Sequence, residues 1–172
     1  VAAALLLFAV LLLLSGCDLF APTYTIVRAP EDMRVRAYRI AEKYVGMEYE
    51  WGGQDHYSTK GIDCSGLIVN CYREALEGTG YELPYLDAAA GDFRRRYSSA
   101  VDQPARGDLV FMGEPGEESV SHIAILDRIE EGTVYFIDAS TRGDLEGVER
   151  RSYSLDNDKI KGFGRALLLR ER

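Results

Sequence analysis

The chain has 172 residues, enough for one domain of ordinary size, and it is globular in composition, with 47% hydrophobic and 28% charged residues. Its formal charge is −8. That balance excludes a nucleic-acid partner, which demands a basic face, and disfavours electrostatic docking on anionic lipid.

The opening stretch, "VAAALLLFAVLLLLSGC", carries no charge as far as Cys17. Its apolar run, Val1–Leu14, is shorter than the roughly 18 residues of a spanning helix and has the length of a secretory h-region. The closing "LSGC" resembles a bacterial lipobox. That resemblance implies that residues 1–16 are a signal peptide and that Cys17 is lipidated. Residues 17–30 then form a tether, with the protein held on a membrane of the cell envelope. Each buried CH₂ of such an anchor contributes about 0.8 kcal/mol. A plain cleaved signal or a short buried helix is the competing reading.

Residues 31–172 are expected to form a single domain. Met33, Ala37, Ile40, Ala41 and Tyr44 recur at helical spacing and predict a helix over Glu31–Val45. The segment "YEWGGQDHYSTKG" follows, polar and rich in glycine. Within it, Trp51 is read as a packed anchor beside a cleft and His56 as an exposed loop residue.

Next comes "GIDCSGLIV", Gly61–Val69. Asp63 is a natural N-cap, and a helix over Cys64–Glu77 buries Leu67, Ile68, Cys71, Tyr72 and Ala75, with Gly78 as its stop. Cys64 then stands in the first turn, where unpaired N–H groups and the helix dipole stabilise a thiolate. Gly61 and Gly66 leave room for a substrate backbone. Cys71 lies seven residues on, roughly 10.5 Å along the axis. A disulfide needs Cα atoms within about 7 Å, so both thiols stay free, and Cys71 is core.

A shorter helix is expected near Ala88–Tyr97, with Arg94–Arg96 on a solvated face. Strands are expected at Asp108–Met112, His122–Asp127, Thr133–Ile137, Val148–Ser152 and Gly162–Leu169. The first three are joined by short connections and suggest an antiparallel meander. His122 opens one strand and Asp138 ends its neighbour, so the two side chains fall side by side. Cys64, His122 and Asp138 thus make a plausible nucleophile, base and orienter.

Five segments, "YEWGG", "GIDCSGLIV", "RGDLVFM", "SHIAIL" and "FIDAST", stand in the order found in NlpC-type cell-wall endopeptidases, which the chain resembles over Asp32–Leu169. The resemblance implies an α+β, papain-like fold, with N-terminal helices packed on a mainly antiparallel sheet of about five strands. It implies a monomeric cysteine peptidase that needs neither cofactor nor metal. The implied substrate is the peptidoglycan stem peptide, cut at the amide that joins the side-chain carboxyl of D-glutamate to a diamino acid.

By the same resemblance Cys64 is the nucleophile and His122 the general base. Asp138 fills a position usually held by histidine, asparagine or glutamine. Tyr49 and the Cys64 N–H contribute to an oxyanion hole. Asp63 and Ser65 recognise the amine end of the stem peptide, with Trp51 nearby. A catalytically idle wall-binding lipoprotein, or an amidase or acyltransferase acting on other substrates, are the alternatives.

Overall fold

The computed structural model describes residues 23–53, 61–141 and 146–172. Cys17, the signal and lipobox expectation and His56 lie outside the described residues. Among those residues no helix is long and apolar enough to cross a membrane.

Two helices, α1 (Glu31–Tyr44) and α2 (Cys64–Leu76), pack together on one face of an antiparallel sheet. The predicted apolar stripes are the buried ones: Met33, Ala37, Ile40, Ala41 and Tyr44 on α1, and Leu67, Ile68, Cys71, Tyr72 and Ala75 on α2. Asp63 caps α2 by accepting the Gly66 N–H at 2.7 Å, a bond worth about 1 kcal/mol. The third expected helix is a single turn, α3 (Ala90–Asp92), that widens into a π turn over Phe93–Tyr97. Arg94, Arg95 and Arg96 are exposed there, as expected of a solvated face.

Among the described residues the sheet has eight strands rather than about five: β1 (Tyr24–Arg28), β2 (Tyr81–Glu82), β3 (Ser98–Ala100), β4 (Leu109–Met112), β5 (His122–Glu130), β6 (Thr133–Ser140), β7 (Gly147–Ser154) and β8 (Ile160–Glu171). The main order is β1-β8-β4-β5-β6-β7, with β2 and β3 also paired to β8. The five expected strands are β4 to β8, each shifted or extended at its ends. The additional three are short segments that gain their pairing from β8. One of them corrects the tether boundary. Residues 24–28 are not a free linker, because Tyr24–Arg28 pair in register with Glu171–Leu167. Asp138 likewise lies inside β6 rather than at its end.

Alternation along the strands sorts side chains to two faces. Leu109, Phe111, Ile123, Ile125, Ile137 and Ala139 join the helices in the larger core. Val110, Met112, Ala124, Leu126, Val134 and Phe136 form a second, smaller core, closed by Tyr153, Ile160 and Phe163. The cleft described next opens where these two cores meet.

Candidate active site

Cys64 comes from the helix side and packs at the margin of the larger core. His122 belongs by alternation to the other face of β5, the face of Ala124 and Leu126. The first turn of α2 therefore meets the first residue of β5 across the boundary between the cores. Close backbone crossing holds this approach. The stretch entering α2 runs beside the Tyr49 segment, with a parallel bridge between Tyr49 and Ile62. A Cβ on Gly53 would lie 2.5 Å from the Gly61 carbonyl oxygen, and one on Gly61 would lie 2.5 Å from that of Glu48. The space expected at Gly61 for a substrate is thus filled by the chain's own backbone.

His122 Nε2 lies 2.6 Å from Asp138 Oδ2, and the ring also hydrogen-bonds the Cys64 thiol. With Nε2 engaged by Asp138, Nδ1 is the nitrogen left for sulfur. Burial works against the imidazolium, but hydrogen bonds and charge from Asp138 and Cys64 outweigh it and push the His122 pKa up to about 9. Asp138 is 3% exposed, and its second oxygen accepts from Arg151 Nη1. Arg151 is the member of the cluster that sequence reasoning missed. It also reaches the Asp138 carbonyl at 3.3 Å and that of Gly147 at 3.5 Å.

The cleft has a volume of about 460 Å³. Tyr49, Trp51, Cys64, His122 and Asp138 line it, joined by the unanticipated Met112, Tyr153 and Lys159. Tyr49 is held protonated by burial and by the nearby Cys64 and Asp63 charges, all of which raise its pKa. Trp51 corrects an expectation: it is 88% exposed on the cleft rim, not packed. A loop pinned by the Gly52 N–H to Asp63 Oδ2 contact leaves its indole in solvent.

Asp63 and Ser65 stand next to Cys64 but do not line the cleft. Asp63 Oδ1 accepts from both Ser65 Oγ and Gly66 N, while Oδ2 accepts from Gly52 N at 3.1 Å. Among the described residues, one lone-pair direction on Oδ2 is left for a further donor. Cys71 is fully buried, with its thiol pKa raised by that burial, and both described cysteines are free. Among the described residues, no group of three or more His, Cys, Asp or Glu is placed to hold a metal ion.

The NlpC/P60 family matches residues 46–159, a span that contains Tyr49, Cys64, His122, Asp138 and Arg151. The chain belongs to the NlpC/P60 family. It is 29% identical over 126 residues to the probable endopeptidase YafL of Escherichia coli, covering 73% of this chain and 47% of that protein. It is 30% identical over 100 residues to the gamma-DL-glutamyl hydrolase of Bacillus subtilis, covering 58% of this chain and 22% of that one. The chain therefore spans less than half the length of these curated relatives.

A crystal structure of a lipoprotein-like NLP/P60 protein from Staphylococcus aureus superposes with a TM-score of 0.51 at 25% identity. The match covers 86% of this chain and 44% of that one. NlpC1 from Trichomonas vaginalis shares the fold, with a TM-score of 0.54 at 18% identity over 80% of this chain and 45% of that one. The α+β expectation and the NlpC-type resemblance both hold.

Proposed function

We propose that this NlpC/P60 domain is a cysteine endopeptidase that hydrolyses peptidoglycan stem peptides at the amide between the D-glutamate side-chain carboxyl and a diamino acid. The observation that carries the reading is the chain of contacts from the Cys64 thiol through His122 to Asp138, placed at a helix N-terminus in an open cleft. The names of the Escherichia coli and Bacillus subtilis relatives support the bond class.

In this mechanism Cys64 and His122 react as a thiolate–imidazolium pair, with the thiol proton held on His122 Nδ1, and the thiolate attacks the amide carbon. The carbonyl oxygen gains the charge and is met by the Tyr49 hydroxyl and the Cys64 N–H. One such donor is worth roughly 10²–10³ in rate. The His122 imidazolium then protonates the departing amine, leaving a thioacyl enzyme. Water, deprotonated by His122, attacks that thioester and releases the acid. Asp138 fixes the ring and stabilises its charged form throughout. Trp51, Asp63 and Ser65 are assigned to substrate contact on the same reading.

The N-terminal segment makes the protein a lipid-anchored envelope enzyme through Cys17. The decisive test is product analysis on defined muropeptides. Wild type is expected to release fragments cut after D-glutamate, Cys64→Ala none, and Cys71→Ala nearly as much as wild type. Cleavage by Cys64→Ala would overturn the proposal. For the anchor, Cys17→Ser is expected to abolish lipidation, and normal membrane fractionation of that variant would sink it.

A further inference from the structure

Lys159 is a cleft residue that the mechanism above does not use. It sits in the turn between β7 and β8, immediately before Ile160. Ile160 pairs with Met112, and Met112 pairs with His122. The lysine thus stands two strands away from the catalytic imidazole, along one end of the sheet. Its ammonium lies 5.4 Å from the centre of the Tyr153 ring, and among the described residues it has no carboxylate partner.

That lack is informative in a chain with 28 acidic and 20 basic residues. Three other described cations on this sheet are matched: Arg151 to Asp138, Arg165 to Asp108 and Lys161 to Asp158. The turn itself is fixed by backbone bonds. Lys159 N–H donates to Asn157 Oδ1 at 3.0 Å, Ile160 N–H to the Asn157 carbonyl at 2.8 Å, and Gly113 N–H to the Lys159 carbonyl at 3.0 Å. The lysine side chain is therefore free of any duty in folding the turn. What it adds to the cleft is one unmatched positive charge on a flexible stem, cushioned on an aromatic face.

We propose that Lys159 is the carboxylate-binding residue of this cleft and selects peptides that carry a free carboxylate beside the scissile amide. The inference rests on the stem-peptide reading given above. A γ-linked glutamate keeps its α-carboxylate, and a diamino acid carries a carboxylate of its own, so either can be the group bound. Lys159 acts in substrate binding and takes no part in the proton transfers.

The test uses the full chain and three synthetic stem peptides. One has both carboxylates free, one is amidated at the glutamate α-carboxyl, and one is amidated at the diamino acid. kcat and KM are measured for wild type, Lys159→Met and Lys159→Arg, with circular dichroism as the check on folding. Amidation at one of the two positions is expected to raise the wild-type KM roughly tenfold, the scale of a charged hydrogen bond at a solvated rim. Lys159→Met is expected to show that higher KM on every peptide with little change in kcat, and Lys159→Arg to restore the preference. The sensitive position identifies the carboxylate. If wild type ignores both amidations, or if Lys159→Met still discriminates, the assignment of Lys159 fails while the endopeptidase stands. If wild type cuts none of the three peptides, the stem-peptide reading fails and the inference falls with it.

Discussion

Asp108 and Asp138 are both aspartates buried at the sheet, and their partners give them different work. Asp108 is 0% exposed and takes a two-pronged contact from Arg165, Nε and Nη2 each at 2.8 Å. Arg34 Nη1 approaches to 3.6 Å, and the Ala105 N–H donates at 2.9 Å. This cluster ties α1 and β8 to the start of β4. Guanidinium groups stay charged across the accessible pH range, so Asp108 is a permanent staple. Asp138 divides its carboxylate between one guanidinium, Arg151, and one imidazole, His122. Replacing a second arginine by a histidine turns a fixed electrostatic joint into one that responds to protons.

The sharpest way to break this contrast is to remove each carboxylate in turn. Asp138→Ala should lower turnover roughly 10³–10⁴-fold, because the imidazole loses both its orientation and the partner of its charged form. A steady-state assay on a defined stem peptide measures this, and near-normal turnover would remove Asp138 from the chemistry. Asp108→Asn should behave in the opposite way. It should cost about 3–5 kcal/mol of stability in urea unfolding, since Arg34 and Arg165 are left uncompensated. Turnover per folded molecule should stay near wild type.

A subtler separation comes from Asp138→Asn. An amide has one acceptor oxygen, whereas the carboxylate serves Arg151 with Oδ1 and His122 with Oδ2. The alkaline limb of the pH–rate profile, set in wild type by a His122 pKa of about 9, should move to lower pH, with a fall in rate. Adding Arg151→Met should recover part of that rate by freeing the amide oxygen for the imidazole. Arg151→Met alone should move the limb to higher pH, because a positive charge near the imidazolium is gone. Limbs that shift in the same direction for both single variants would contradict the shared-carboxylate geometry.

The smallest expected effect is on stability. His122 has a folded pKa raised from 6.5 to about 9. Its contribution is fully present below about pH 6.5 and is lost as pH rises through about 9. Chemical unfolding across that window should show a decline in wild type that is shallower in His122→Ala.

Much of this site is legible in the sequence because its parts obey local rules. Asp63 followed by an apolar stripe announces a capped helix with Cys64 in its first turn. His122 and Asp138 open and follow apolar β-branched runs that short connections force to pair. Arg151 is invisible by the same rules. It lies in "VERRSYS", whose alternation of polar residues reads as a solvated strand, and only the register that sets Phe136 opposite Arg151 and Asp138 opposite Glu149 brings it to Asp138. The β1 strand is hidden for a related reason, since its partner β8 is more than a hundred residues away. Trp51 misled because apolar bulk argues for burial, whereas a cleft rim can present the same ring to solvent. Lys159 carries no signal at all in a turn rich in polar residues.

The long β8 strand has a further consequence. It holds β1 along its last residues, and the Arg172 N–H donates to the Thr23 carbonyl at 2.9 Å. The two ends of the described domain therefore leave from one point on its perimeter. A polypeptide can enter and exit there without opening the sheet, which makes the unit easy to splice into a longer chain. It also makes the unit a good subject for circular permutation. A short linker joining the old ends, with new ones cut at the exposed Glu131–Gly132 turn, should give a permuted protein that keeps the Cys64–His122–Asp138 cluster on an unbroken frame.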